Sequence, residues 1–304
     1  MSKAEKKKKK KNLWVLLASL LIFAVGAGIF LYPAVSNMLA ERNQRSVIHS
    51  YQAAVDQTDQ EQLDAAWQEA EEYNENLAGD PVHDPFVMGS GYVLPDNYEE
   101  VLNLNGDGVM GYIEIPKIGV YLPIYHGTSE EVLEEGAGHL EATALPIGGV
   151  NRHPVISAHR GLPSAELFTR LDEMEIGDVF YIHVLDRTLA YQVDQIETIV
   201  PEDLALLTPE KDKDLVTLLT CTPYAVNTHR LLVRGIRIPY EEESAENTDT
   251  VTEAAPVRDW FREYRLAIYV GLAVLAVLLT AVLLGRRAVR RRKKKNSRDR
   301  KEKG

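Results

Sequence analysis

Two long stretches without a charged residue dominate the pattern of hydrophobic and polar positions. They cover residues 13–32 and 266–284. A helix that crosses a bilayer needs about 20 such residues. Aromatic side chains that favour a membrane interface border both stretches, among them Trp14, Tyr32, Trp260 and Tyr264. The pattern therefore predicts transmembrane helices at 13–33 and 266–284.

The segment after the first apolar stretch has a helical pattern. Residues 36–78 are rich in Ala, Gln and Glu and lack proline, and Gly79 and Pro81 follow. This predicts one or two amphipathic helices within a helical segment at 34–79. Residues 80–110 contain three prolines and several glycines, which predicts an irregular connector.

Short β-branched and aromatic runs, separated by turn residues, fill the chain from 111 to 239. We predict short helices at 129–135 and 164–174 between them. Many short strands at this spacing favour a mostly β fold, either a sandwich or a closed barrel. An acidic segment with few hydrophobic residues, 241–265, predicts a linker. The predicted strands are 111–115, 119–125, 154–159, 179–184, 189–200, 216–221 and 230–238.

The distribution of charge gives an orientation to the predicted helices. The basic tails carry +6 in residues 1–11 and +10 in residues 285–304, and a total of −11 leaves −27 between them. Positively charged flanks stay in the cytoplasm, so we expect a two-pass cell-membrane protein with both termini cytoplasmic and the region between the two helices extracellular. The tails then face the membrane rather than a nucleic acid. A cleaved signal peptide is the alternative at the N-terminus, but its apolar core is ordinarily only about 7–15 residues long.

Cys221 is the only cysteine of the chain and ends a predicted strand. It cannot form an internal disulfide, so it is a free reactive thiol, an intermolecular link or a small buried apolar side chain. His159 also ends a predicted strand, and Arg230 begins one. Reactive residues often lie at such edges of a rigid framework.

These three side chains supply complementary chemistry. A thiolate is the nucleophile, an imidazole exchanges its proton near neutral pH, and a guanidinium stabilises negative charge on a substrate oxygen. An ordinary strand-edge charge is the alternative for Arg230. No HExxH motif occurs and one cysteine cannot form a thiolate cluster, so no metal or cofactor is expected. Five other histidines compete with His159, namely His126, His139, His153, His183 and His229.

The sequence "TLLTC", followed nine residues later by an arginine in "NTHRLLVRG", resembles the sortases. These are membrane-anchored cysteine transpeptidases of Gram-positive bacteria with an eight-stranded β-barrel. The resemblance covers roughly residues 80–240 and implies that Cys221, His159 and Arg230 are catalytic. Thr220 belongs to the same motif and implies a role in orienting the substrate or the arginine, with an ordinary strand residue as the alternative. The catalytic barrel would then occupy residues 101–240.

The subtype resembles class C, the pilin-polymerising sortases. Two predicted spans and the segment "HDPF" carry this resemblance. In class C, an Asp-Pro-aromatic motif lies on a lid over the active site. The resemblance therefore implies a lid at 80–100, with Asp84 paired to Arg230, Pro85 between, and Phe86 over the sulfur. A plain Asp-Pro turn is the alternative. Ala225 departs from the glycine usual in the family, which bears on loop geometry.

The implied reaction cleaves an LPXTG-like sorting signal between Thr and Gly through a thioacyl intermediate. A lysine amine of a pilin subunit then accepts the acyl group. Expected partners are pilins or surface proteins with such signals, their acceptor lysine, and the lipid bilayer. Two alternatives stay open. One is a housekeeping sortase that anchors proteins to peptidoglycan, and the other is a non-enzymatic surface scaffold with two membrane spans.

Overall fold

The computed structural model describes residues 3–77 and 97–240, with five further positions at 269–271, 273 and 280. The chain divides into two compact units, Met1–Pro256 and Val257–Gly304. The first unit holds the helices and strands described below. In the second unit, the five described positions are helical.

Three α-helices accompany the barrel. Helix α1 spans Lys3–Gln57 and passes through Pro33 without ending. Helix α2 spans Gln60–Asn76, and the Asp59 carboxylate caps it by accepting a hydrogen bond from the Gln62 N–H at 2.9 Å. Helix α3 spans Glu130–Glu135 and begins at the capping hydroxyl of Ser129.

Eight strands close into a barrel in the order β1-β2-β3-β4-β7-β8-β6-β5. The pairs β2–β3 and β4–β7 are parallel and the others antiparallel. Closure leaves no unpaired sheet edge. The strands are β1 Val109–Ile115, β2 Val120–His126, β3 Ala137–His139, β4 Val155–Ser157, β5 Val179–Val184, β6 Arg187–Ile199, β7 Leu215–Thr222 and β8 His229–Ile238.

Strand directions give the barrel two distinct ends. Strands β4, β6 and β7 finish at one end, where β5 and β8 begin. Because β7 finishes there with Cys221 and Thr222, we call it the Cys221 end. The opposite end holds the start of β7 and the β5–β6 hairpin.

Helix α1 is fixed to the barrel by buried aromatic and polar contacts. Tyr51 is fully buried, and its hydroxyl donates to the Met110 carbonyl at 3.1 Å and accepts from the Leu185 N–H at 2.7 Å. Tyr51 also meets Tyr112 edge to face. Helix α2 buries Trp67 and Tyr73 in the same core. Helices and barrel therefore share one hydrophobic core.

The predicted eight-stranded barrel is confirmed, but one strand was not predicted and one helix prediction was wrong. Strand β3 was missed because three residues are too few to show alternation, and its pairing with β2 and β4 defines it. Residues 164–174 do not form an α-helix; only Leu171–Glu173 form a short 3-10 turn. The backbone of this segment makes other hydrogen bonds instead. For example, the Phe168 N–H donates to the His159 carbonyl.

Among the residues that the structure describes, one helix is long and apolar enough to cross a membrane, over Leu21–Gln57. This agrees with the first predicted span, although the helix continues well beyond residue 33. The second predicted span, 266–284, lies outside the described residues except for five helical positions. The predicted lid motif, Asp84, Pro85 and Phe86, also lies outside the described residues.

Candidate active site

Cys221 and Arg230 are cross-strand neighbours at the Cys221 end. They pair directly in the antiparallel register of β7 and β8, so their side chains lie on the same face of the sheet. Both are almost fully buried, at 6% and 5% exposure. The Arg230 Nη1 donates to the carbonyls of Asn227 and His229, each at 3.1 Å. The guanidinium is therefore held beside the strand that carries the thiol.

His159 lies just beyond β4, the other neighbour of β7. These strands are parallel, with Ser157 level with Leu219, and the Ala158 N–H still donates to the Leu219 carbonyl at 3.2 Å. His159 follows beyond the end of β4, and extending the same register by two residues places it level with Cys221. The predicted cysteine and arginine are thus paired on β7 and β8, and the predicted histidine lies at the same end of the barrel, just after β4.

Thr220 contributes to this arrangement from inside the barrel. It is fully buried, and its hydroxyl donates to the Ala158 carbonyl at 2.7 Å. The contact ties the strand of Cys221 to the residue that precedes His159. A direct role of Thr220 in substrate binding stays a prediction.

The surroundings of His159 favour its neutral form. Burial lowers the pKa of the imidazole below its ordinary value of 6.5, and the carboxylates of Glu134 and Glu130 on α3 partly oppose that effect. Because the folded-state pKa lies below the unfolded one, this residue's contribution to the free energy of unfolding falls as pH drops through 6.5. At neutral pH the imidazole is therefore available to accept a proton.

Removing one of these carboxylates gives a direct test of the electrostatics. We expect Glu134→Gln to lower the pKa of His159 further, because a negative charge that stabilises the imidazolium is lost. NMR titration of the His159 ring measures this. Glu131→Gln, on the same helix, is the matched control, because Glu131 does not contribute to that pKa. Equal titration midpoints in both variants would contradict the assignment.

The other candidate histidines make contacts away from Cys221 and Arg230 or face away from them. His126, His139 and His153 are buried and lie within 2.9 Å of backbone carbonyls, and burial lowers the pKa of His139 to about 3. His183 stacks on Tyr112. His229 comes nearest to the site, but it pairs with Thr222, one position along from the Cys221–Arg230 pair. Since successive side chains alternate between faces, His229 points to the opposite face from Arg230.

Sequence reasoning missed Arg160, which connects the segment between β4 and β5, residues 158–178 (the histidine loop), to β7. Its Nη1 donates to the Thr222 hydroxyl at 3.0 Å, and its Nε donates to the Thr169 carbonyl at 3.2 Å. A short ion pair with Asp172 completes its contacts. The only available signal was its position directly after His159, and that position does not reveal these partners.

The loop between β7 and β8 has a strained backbone. Ala225 and Asn227 have φ values of 62° and 60°, in the left-handed region. Alanine in this region costs about 1–2 kcal/mol, a cost that a glycine at this position would avoid. Gly161, at φ 84°, lies against this loop. A Cβ added at Gly161 would be 3.0 Å from the Tyr224 ring, so the two segments approach closely. The histidine loop and the β7–β8 loop are thus in contact.

Within residues 3–77 and 97–240, no group of three or more His, Cys, Asp or Glu side chains could hold a metal ion. The arrangement itself consists of a thiol, a largely neutral imidazole and a permanent cation. Such a set supports nucleophilic attack on a carbonyl, with proton exchange and stabilisation of the oxyanion.

Comparison with known proteins gives consistent matches. Residues 113–238 match the sortase domain family. The structure resembles sortase C of Streptococcus pneumoniae, with 48% identity over 64% of this chain and 97% of that one, at a TM-score of 0.58. It also resembles sortase C1 of Streptococcus agalactiae, with 43% identity over 66% and 99%, at a TM-score of 0.60.

A more distant curated relative is sortase D of Bacillus subtilis, 31% identical over 115 residues. That match covers 38% of this chain and about half of the relative, 55% of its length. The barrel, the family match and the near-complete coverage of the two streptococcal structures agree with one another. The chain belongs to the sortase family of cysteine transpeptidases.

Proposed function

We propose that this chain is a class C sortase that polymerises pilins, with Cys221 as nucleophile, His159 as acid and base, and Arg230 as the positive charge beside the reacting carbonyl. The observation that supports the proposal is the direct pairing of Cys221 with Arg230 on β7 and β8, with His159 just beyond the end of β4, the strand on the other side of β7. The streptococcal relatives support the subtype. The structure of the Streptococcus pneumoniae enzyme concerns pilin substrate specificity, and a similar sortase C of Group B Streptococcus is pilus-related.

The first half of the reaction forms a thioester. The neutral imidazole of His159 accepts the thiol proton, and the Cys221 sulfur attacks the threonine carbonyl of an LPXTG-like signal. Arg230 stabilises the oxyanion that develops. When the intermediate collapses, the bond between threonine and glycine breaks, and His159 returns its proton to the glycine amine. The C-terminal piece leaves and the threonine carbonyl stays bound to sulfur.

The second half transfers the acyl group to a lysine. The neutral ε-amine of a lysine on the next pilin attacks the thioester and forms an isopeptide bond. The bond between the threonine carbonyl and sulfur breaks, and His159 accepts the proton that the amine loses and passes it to the departing sulfur, which regenerates the Cys221 thiol. The near-complete burial of Cys221 supports transfer to an amine over hydrolysis, because it limits the access of water.

Membrane attachment is part of the proposal. The apolar part of α1 anchors the chain, and a second span at 266–284 returns it to the cytoplasm, so that the barrel is extracellular. Substrates tethered to the same membrane meet the enzyme at a raised effective concentration. Asp84 and Phe86 would form a lid over the site, with Asp84 against Arg230 and Phe86 against Cys221.

The deciding experiment combines the full chain, in detergent or nanodiscs, with a donor pilin bearing an LPXTG-like signal and an acceptor pilin. Mass spectrometry should detect a threonine–lysine isopeptide between them. An acceptor whose lysines are dimethylated is the control and should give no product. A product found only with cell-wall peptide amines would favour the housekeeping function, and no thioester with any donor would contradict the enzyme proposal.

A further inference from the structure

Helix α1 crosses the barrel in a defined direction. Near its apolar part, the Ser36 hydroxyl donates to the Pro163 carbonyl at 3.1 Å, and the Asn37 side-chain oxygen accepts from the Glu166 N–H at 2.7 Å. Both partners lie in the loop that follows β4 at the Cys221 end. Tyr51 meets the Leu185 N–H in the hairpin at the opposite end. The helix therefore approaches the barrel at the Cys221 end.

This direction sets the height of the site above the apolar segment. The uncharged stretch ends at Tyr32, four residues before Ser36. At 1.5 Å per residue, the histidine loop touches α1 about 6 Å beyond that stretch, while Tyr51 lies about 28 Å beyond it. If α1 is the membrane anchor, the Cys221 end is the end of the barrel nearest the bilayer.

The exposed apolar side chains of the barrel are concentrated at this same end. Ile176 precedes β5, Val200 follows β6, and Tyr224 and Val226 lie between β7 and β8, all at the Cys221 end. Of the large apolar side chains exposed in the described part of the barrel, only Val150 lies at the opposite end, beside Lys213 before β7. Contiguous exposed apolar side chains mark interaction surfaces.

The loop that carries Tyr224 and Val226 is continuous with the contact to α1. Tyr224 packs on Gly161, which lies two residues before Pro163, the partner of Ser36. Tyrosine is enriched where membrane meets water, because its ring is apolar and its hydroxyl is polar. A lipid surface thus fits the chemistry of this loop and its position beside the apolar helix.

We infer that the Cys221 end of the barrel rests on the bilayer surface, with Tyr224 and Val226 in the interfacial region. The inference rests on the proposed role of α1 as membrane anchor. This placement of the barrel holds the Cys221 thiol at the membrane surface, where tethered substrates present their sorting signals. The alternative interpretation is that Tyr224 and Val226 contact only the substrate peptide. The test below separates lipid contact from peptide contact.

The test uses the full chain in nanodiscs of phosphatidylcholine and phosphatidylglycerol. In a Cys221→Ala background, Val226→Cys and Val150→Cys each supply a single thiol for an environment-sensitive fluorophore. The two valines are matched, at 63% and 60% exposure, and lie at opposite ends of the barrel. We expect lipids with a nitroxide headgroup to quench the probe at 226 at least about twofold more than the probe at 150, with bluer emission at 226.

Equal quenching at both positions would overturn the inference. So would a probe at 226 that ignores the nitroxide lipid but responds to an added sorting-signal peptide, since that outcome assigns the loop to peptide. Flotation of the labelled chain with vesicles separates this failure from failure of the anchor. If the chain floats but the probe at 226 is not quenched, α1 anchors the chain and the barrel does not contact the lipid. If the chain does not float, neither the anchor nor the surface contact is present.

Discussion

Replacement of Cys221 by alanine is expected to abolish pilin cross-linking, with a loss of at least about 1000-fold in rate. The reason is chemical, because without the sulfur no nucleophile attacks the threonine carbonyl and no thioester forms. Because Cys221 is the only cysteine of the chain, a thiol-directed reagent should label the parent once and the variant not at all. Isopeptide formation and labelling, both followed by mass spectrometry, measure the two effects.

The alanine variant should remain folded. Cys221 is small and buried, so the truncation is expected to cost about 1 kcal/mol in the free energy of unfolding, and thermal unfolding checks this. Thr228→Ala, in the exposed loop before β8, is a control that should keep its cross-linking rate. Retained cross-linking in Cys221→Ala would mean that another residue is the nucleophile and would end the proposed mechanism.

The second large effect is expected at Arg230. Arg230→Ala should lower the rate of thioester formation by about 100- to 1000-fold, the loss typical when one stabilising donor to an oxyanion is removed. Arg230→Lys should recover part of this loss, because the charge returns but the planar pair of donors does not. Burst kinetics with a sorting-signal peptide measure the step directly.

A structural contribution of Arg230 has to be separated from its chemical one. Its guanidinium donates to the carbonyls of Asn227, in the loop before β8, and His229, the first residue of β8, so truncation also loosens this loop. Arg237→Ala is the matched control, since Arg237 lies on the same strand at the opposite end of the barrel, near Asp214. A rate in Arg230→Ala close to that of Arg237→Ala, at equal folded fraction, would contradict the assigned role.

Several elements could be predicted because their signals are local. The strand Val179–Val184 has the predicted bounds, and the bounds of β1, β2, β6, β7 and β8 differ from the predictions by at most two residues at either end. The alternation of buried and partly buried positions in β5 follows from the residue types within one short window of the chain. Strand β3 has no such signal, since it exists only through its neighbours.

The candidate site was only partly accessible to the same reasoning. Residue chemistry singled out Cys221, but eight histidines were available. Contacts across the fold reduce that choice, because the ring of His139 is bound by the Tyr98 hydroxyl and that of His153 by the Thr208 carbonyl. The pairing of β7 with β8 turns His229 to the other face. Arg160 could not be found at all, since its partners Thr222 and Asp172 lie 62 and 12 residues away.

The sequence by itself determined the apolar first span, the mostly β character of the barrel and the single thiol at the end of a strand. These follow from periodicity and composition, which act over a few neighbouring residues. Only the tertiary structure decided which end of the barrel faces the apolar helix and which side chains accompany Cys221. Strand register and the hydrogen bonds of α1 set both, and such pairings join residues far apart in the chain, which no local pattern records.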